Sequence, residues 1–211
     1  MEIRKTSQCS AEGILRTIVL TLAALCAMPG AAQTAQSVLD KAAAIVADPA
    51  GVQAQFIIRG EYYNTKGTIA VKGKKFHATT PDAIVWYDGK TQWTYMKKSE
   101  EVNIAAPNEA QQAVINPYRF IYLYKEGYTS KLSRKGQNYV VHLKAKDKKK
   151  SIQEMFLVIS QKTYIPSQVS MRQKSGWSTI DLQDFKKASL SDRLFQFSAK
   201  DFPNAEVIDL R

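Results

Sequence analysis

The sequence has little of what enzymes most often use for catalysis or metal binding. Its 211 residues include only two cysteines, Cys9 and Cys26, and only two histidines, His77 and His142. Both cysteines lie within residues 1–32, so the rest of the chain has no disulfide, no thiolate ligand and no cysteine nucleophile. Because zinc sites are built mainly from cysteine and histidine, two histidines on separate strands argue against one. We therefore expect no metal and no other cofactor.

Motifs that mark catalytic centres are also missing. There is no Gly-x-Ser-x-Gly elbow, no glycine-rich phosphate loop and no dinucleotide fingerprint. The acidic pair Glu100–Glu101 falls in a charged turn, and Asp181 and Asp184 point to opposite faces of an extended segment. Neither pair brings two carboxyl groups together for glycoside hydrolysis. We predict that the protein is not an enzyme.

The beginning of the chain has the three-part pattern of a secretory signal peptide. Its basic residues are Arg4, Lys5 and Arg16. The apolar run Thr17–Met28 follows, and it is shorter than the roughly 20 residues that a membrane-spanning helix needs. Leu25 stands before Cys26 where a lipid-modified cysteine would follow a small residue. We predict that residues 1–32 are removed and that residues 33–211 form a single domain in the periplasm.

Basic residues outnumber acidic ones. The chain has 30 Lys and Arg against 19 Asp and Glu, a net charge of +11. Such an excess can indicate nucleic-acid binding, but export and the scattered placement of the lysines argue against it. The one dense run, Lys144–Lys150, lies between two strand patterns and is interpreted as a solvated hairpin turn. Contact with an anionic membrane surface or an acidic partner is the alternative.

Hydrophobic periodicity predicts one short helix followed by a β-rich chain. Ala35–Ala47 has helical spacing, with Ser37 as the predicted cap and Asp48-Pro49 as the stop. From Val52 onward apolar and polar residues alternate with period 2. The strongest hairpin signal is WYDGKTQWTY, Trp86–Tyr95, where Asp-Gly separates two alternating runs.

The alternation stops after Pro107 and resumes after Gly127, and two short helices are predicted in between. Further strands are predicted near Tyr128–Arg134, Tyr139–Lys146, Ile152–Ile159, Ser167–Gln173, Trp177–Lys186 and Leu194–Phe197. A sheet of this size must curl, and the few helices must cover its apolar face. The predicted fold class is α+β, mainly β: a curled, unclosed antiparallel β-barrel of about 10–11 strands, with short helices covering the concave face.

The aromatic hairpin presents large side chains on both faces of the predicted sheet. Trp93 and Tyr95 share one face, whereas Trp86 and Tyr87 point to opposite faces. These rings either fill an ordinary β core or line a hollow that binds an apolar ligand. Periodicity alone leaves both interpretations open.

The order of these segments resembles the periplasmic outer-membrane lipoprotein carrier (LolA) family over nearly the whole mature chain. The similar segments are VQAQFIIRG, GTIAVKGKKF, DGKTQWTYMKKSEEVNI, NPYRFIYL and FQFSAKDFPNAEVIDLR. The third matches best, with Asp-Gly-Lys, two aromatic residues two apart, a charged turn and a valine-bearing strand. The family often has an arginine directly after the strand that corresponds to GTIAVK, where this chain has Gly73 followed by Lys74 and Lys75.

The resemblance implies a monomeric carrier that binds lipoprotein acyl chains or other lipids under a helical lid. An inner-membrane ABC-type lipoprotein-releasing complex would hand over the cargo, and an outer-membrane acceptor could receive it. The residues expected to contact lipid are Phe56, Ile58, Ile69, Val71, Trp86, Trp93 and Tyr95 on the sheet, and Phe120, Leu123 and Tyr124 on the lid.

Two alternatives remain at this point. The hollow could serve a lipid-binding accessory protein or an enzyme acting on lipid-linked or pigment precursors, with polar groups converging around His77, Asp88 or His142. The chain could instead be a structural β module with a filled core that docks a membrane partner through its basic surface.

Overall fold

The computed structural model describes residues 33–61, 63–107, 125 and 127–211. This part of the chain forms one α-helix, two 3-10 helices and twelve strands. The elements are α1 (Ala35–Val46), β1 (Val52–Gly60), β2 (Asn64–Lys72), β3 (Lys75–Thr79), β4 (Ala83–Tyr87), β5 (Gln92–Met96), β6 (Glu101–Ala105), β7 (Tyr128–Lys135), β8 (Asn138–Ala145), β9 (Glu154–Ser160), β10 (Pro166–Gln173), β11 (Gly176–Lys187), the 3-10 helices Asp192–Phe195 and Ala199–Asp201, and β12 (Glu206–Asp209).

Three expectations concern residues outside these ranges. They are the signal peptide, the two helices after Pro107, and the lid side chains Phe120, Leu123 and Tyr124. None of the helices in the described ranges is long and apolar enough to cross a bilayer.

All twelve strands belong to one sheet with β1 near its middle. The order is β12-β6-β5-β4-β3-β2-β1-β11-β10-β9-β8-β7. Strands β1 to β6 run outward on one side of the sheet, and β7 to β11 return from the far edge to pair with β1. This arrangement confirms the mainly antiparallel, unclosed sheet. The sheet has twelve strands against the expected 10–11, and its last strand, β12, pairs in parallel with β6.

The sheet curls around α1. Residues of α1 belong to one apolar cluster with β7–β10 and to a second cluster with β1–β4. In a flat sheet β4 and β8 would lie roughly 34 Å apart at 4.7–4.9 Å per strand. A 12-residue helix is only about 18 Å long at 1.5 Å per residue. One helix can reach both clusters only because the sheet bends around it.

Helix α1 forms where predicted, but its N-cap differs. Thr34 rather than Ser37 is the cap: its hydroxyl oxygen accepts a hydrogen bond from the Ser37 N–H at 3.1 Å. The Thr34 N–H donates in return to the Ser37 hydroxyl at 3.2 Å, which completes a capping box. Val38 and Leu39 are fully buried on the face that meets the sheet.

The hairpin predicted at Asp88-Gly89 is present as β4 and β5. The Asp88 carboxylate accepts hydrogen bonds from the N–H groups of Lys90 and Thr91, each at 2.8 Å. Gly89 adopts φ +103°, a conformation that favours glycine. Trp86 and Trp93 are directly opposite each other in the resulting ladder.

The strand predicted at Leu194–Phe197 was wrong. Residues Asp192–Phe195 form a 3-10 helix, capped by the Ser191 hydroxyl, which accepts a hydrogen bond from the Arg193 N–H. The side chain of Phe195 is fully buried. The apolar residues in this short stretch also fit the alternating pattern that predicts a strand.

Candidate functional site

Four predicted lipid-contacting residues lie on the sheet face that packs against α1, which we call the inner face. Phe56 and Ile58 alternate with outward-pointing residues along β1. Ile69 and Val71 lie on the same face of β2, because Val71 is paired with Val52 and Ile69 with Ala54. Val71 and Val52 belong to the apolar cluster that includes the end of α1.

The three aromatic candidates of the hairpin lie on the opposite, outer face. Directly paired residues share a face of the sheet, and Trp86 is paired with His77, which is paired with Ala70. Ala70 precedes Val71 on β2 and therefore points to the opposite face, so Trp86 also lies opposite Val71. Trp93 is paired with Trp86, and Tyr95 lies two residues further along β5. The structure therefore does not bring these rings together with the inner-face residues.

The C-terminal segment covers two of these outer-face rings, Trp86 and Tyr95. Trp86 packs against Phe197 and Phe202 in edge-on geometry, with ring centroids 5.6 and 5.5 Å away. Tyr95 also contacts Phe202, at 4.6 Å between centroids. Trp86 is only 7% exposed. These rings form a second apolar layer, which holds the end of the chain on the sheet.

A cavity of about 60 Å³ lies on the inner face between the end of α1 and the middle of the sheet. Its lining residues are Val46, Val52, Gln53, Ala54, Ile69, Val71, Pro166, Val169, Ile180, Leu182 and Phe185. All of these residues except Gln53, which alternates to the opposite face, are apolar, and two of them, Ile69 and Val71, were predicted to contact lipid. The cavity is therefore suited to hydrocarbon and offers almost no hydrogen-bonding groups.

Sequence reasoning missed part of this lining for two reasons. Ile180 and Leu182 follow a period-2 pattern that marks one face of β11, but the pattern does not say that this face meets α1. Phe185 breaks the pattern, because the pairing of β1 with β11 shifts register between Gln53 and Gln55. The irregularity includes Asp184 at φ +51°, and the next side chain joins the inner cluster.

The histidines do not face the apolar cavity. His142 lies on the outer face of β8, stacked on Phe156 with 4.3 Å between ring centroids. Its Nε2 lies 2.8 Å from a carboxylate oxygen of Glu154, and Arg172 donates to the other oxygen at 3.2 Å. The hydrogen bonds from His142 and Arg172 lower the pKa of Glu154. His77 is half-buried against Trp86, and burial lowers its pKa.

Lysines on either side of Gly73 hold the C-terminal segment. The ammonium groups of Lys72 and Lys75 lie 3.0 and 3.3 Å from one carboxylate oxygen of Asp192. Lys72 also donates to the backbone carbonyl of Leu190 at 2.7 Å. Lys72 and Lys75, which flank the Gly73 turn, thus bind this segment.

The sequence matches the family model described as "Outer membrane lipoprotein carrier protein LolA" over residues 25–175. The match covers most of the curled sheet and α1. The chain belongs to this family. No curated protein sequence matches the chain.

Several solved structures are similar to this chain, and the first of them shares its fold. An uncharacterized conserved protein from Thermus thermophilus has a TM-score of 0.59 at 13% identity, covering 84% of this chain and 99% of that one. A LolA superfamily protein from Nitrosomonas europaea has a TM-score of 0.45 at 16% identity, covering 79% and 99%. The Mycobacterium tuberculosis lipoprotein LppX has a TM-score of 0.47 at 9% identity, covering 74% and 97%.

Proposed function

We propose that this protein is a periplasmic carrier that binds the acyl chains of lipoproteins or of other lipids, without catalysis. It takes its cargo from an inner-membrane ABC-type complex and carries it as a monomer towards the outer membrane and an acceptor there. The observation that carries the proposal is the apolar cavity between α1 and the inner face, together with membership of the carrier family.

The energetics of lipid transfer explain why such a cavity is needed. An acyl chain leaving a bilayer loses roughly 0.8 kcal/mol for each CH₂ group that becomes exposed to water. A carrier must offer comparable apolar contact and yet release the chain. The inner face meets the first need with aliphatic side chains from β1, β2, β10 and β11.

We infer from the small size of this cavity that binding moves α1. Ligand pockets commonly measure about 300–1,000 Å³, whereas this cavity measures about 60 Å³. Lipid can enter if the end of α1, where Val46 lies, separates from the sheet. Contacts between helix and sheet are then exchanged for contacts between lipid and sheet, so binding remains reversible.

Two neighbouring isoleucines on β1 provide a matched test of the binding face. Ile58 points to the inner face, and Ile57, also half-buried, points to the outer face. We expect Ile58→Gln to weaken displacement of bis-ANS by palmitate at least fivefold, and Ile57→Gln to leave it within a factor of two. Solvent extraction and mass spectrometry of the purified wild-type protein should recover bound lipid. Equal effects of the two substitutions, or no dye binding by the wild type, would contradict the proposal.

A further inference from the structure

A second cavity lies on the outer face, on the other side of the sheet from the apolar cavity. Its volume is about 350 Å³, within the range of small-molecule sites. Its polar lining residues are Gln53, Gln55, Thr68, His77, Asp184 and Lys186. They come from β1, β2, β3 and β11, so the outer face of the sheet forms the base of this cavity.

A small side chain between larger ones makes the hollow. In the ladder, Ala70 on β2 stands between Gln53 on β1 and His77 on β3. A methyl group flanked by an amide and an imidazole leaves a depression in the sheet surface. Leu194, from the first 3-10 helix, closes one side. The Lys72 and Lys75 contacts with Asp192 hold that helix in place.

The polar groups around this depression are available to a ligand. Within the described part of the chain, none of these six polar side chains has a hydrogen bond or an ion pair. The two glutamine amides and the threonine hydroxyl each donate and accept hydrogen bonds. Burial lowers the pKa of His77 and so favours the neutral ring, which offers one donor and one acceptor.

A backbone irregularity at Asp184 places its side chain in the lining of this cavity. Asp184 has φ +51°, which is uncommon for any residue other than glycine. Such strain costs free energy and is concentrated at functional sites. The register shift that accompanies it directs Phe185 into the inner cluster and leaves the Asp184 carboxylate in the polar lining.

We propose that this outer cavity binds a neutral saccharide. The lining carries one negative and one positive side chain, Asp184 and Lys186, and so offers no net charge to a charged ligand. Every sugar hydroxyl both donates and accepts, which matches the mixture of amide, hydroxyl and imidazole groups. Ala70 and Leu194 add apolar contact for the C–H groups of a sugar ring. The site is separate from the lipid cavity, and its test does not depend on lipid binding.

The test follows the side-chain amide signals of Gln53 and Gln55 by ¹⁵N NMR on the whole exported chain. The free probes are glucose, N-acetylglucosamine, maltose and trehalose. Octyl glucoside below its micelle concentration represents a glycolipid headgroup, and the charged comparisons are anionic glucose 6-phosphate and zwitterionic glycine. We expect at least one neutral sugar to shift these signals saturably. Response to the free sugars indicates a soluble saccharide, and response to octyl glucoside alone indicates a lipid-linked one.

Two conservative variants make the result specific. Gln55→Leu and Thr68→Val keep side-chain volume but remove hydrogen-bonding groups, and each should weaken sugar binding at least tenfold, read from the remaining Gln53 signal. Ser167→Ala, on an exposed part of β10, should change nothing. Palmitate displacement of bis-ANS should stay within a factor of two in all three. The proposal is overturned if no neutral sugar shifts the signals, if only the charged probes do, or if the shifts persist in both variants.

Discussion

Trp86 and Phe202 pack edge-on with their ring centroids 5.5 Å apart, on the face of the sheet opposite Val71. The contact joins β4 to the segment before β12, more than a hundred residues later in the chain. The most prominent aromatic residue of the hairpin therefore anchors the C-terminal segment, while the aliphatic residues of β1 and β2 face α1.

Removing Trp86 should affect stability and not lipid binding. Trp86→Ala deletes a side chain that is 7% exposed, and such deletions cost about 3–5 kcal/mol of unfolding free energy. Urea denaturation measures this loss, and Trp86→Phe should lose less. At equal folded fraction, palmitate displacement of bis-ANS should remain within a factor of two of wild type. A fivefold loss of affinity would place lipid on the outer face.

Filling the inner cavity should block lipid. Val46 lines the cavity from α1 and is 7% exposed. Val46→Phe adds volume where an acyl chain would lie, and we expect at least tenfold weaker palmitate binding in the same displacement measurement. Overpacking costs about 1–3 kcal/mol, which the fold should tolerate. Ala44→Phe, on the exposed side of the same helix, is the control and should bind palmitate normally.

Gly67 should not tolerate a side chain. A Cβ atom at this position would lie 2.0 Å from the carbonyl oxygen of Thr79 and 2.8 Å from the ring of Phe56. Gly67→Ala must push β2 and β3 apart and displace that ring, so we expect a loss of about 1–3 kcal/mol in urea unfolding. Thr65→Ala, two residues away on the same strand and face, should cost less than about 1 kcal/mol. Equal losses would show that the close approach is relieved easily.

Stability should fall in acid partly through Glu154. Hydrogen bonds from His142 and Arg172 lower its pKa below the ordinary value of 4.5. A carboxyl group with a lowered folded pKa stabilises the protein above pH 4.5, and this contribution disappears as the pH falls through the folded value. Glu154→Gln should therefore reduce the difference in unfolding free energy between pH 7 and pH 3. Glu206→Gln, on the exposed β12, serves as the control. An unchanged pH dependence in Glu154→Gln would show that these hydrogen bonds add no stability.

Local features of the fold could be predicted because neighbouring residues determine them. Helix α1 follows from apolar spacing, and the β4–β5 hairpin follows from Asp88-Gly89 between alternating runs. The parallel pairing of β12 with β6 could not be predicted, because it joins segments about a hundred residues apart. The 3-10 helix at Asp192–Phe195 was missed because its apolar residues also fit a short strand.

The candidate site was predicted only in part, because alternation separates two faces without saying which one is covered by the helix. Trp86 and Tyr87 are both buried, yet they point in opposite directions. When both faces of a sheet carry apolar side chains, the sequence does not reveal which face leaves room for a ligand. The register that brings Phe185 to the inner face depends on an irregularity at Asp184 that has no signature in the sequence.

The last strand also protects the protein from self-association. Without β12, the backbone N–H and C=O groups along one side of β6 would be free to pair with another chain. The four residues Glu206–Asp209 occupy that side and carry a carboxylate at each end. The exposed charged side chain of Glu206 discourages a further strand from adding to β12 itself. A chain truncated before residue 206 would thus expose the unpaired edge of β6, and its folded molecules would aggregate through that edge.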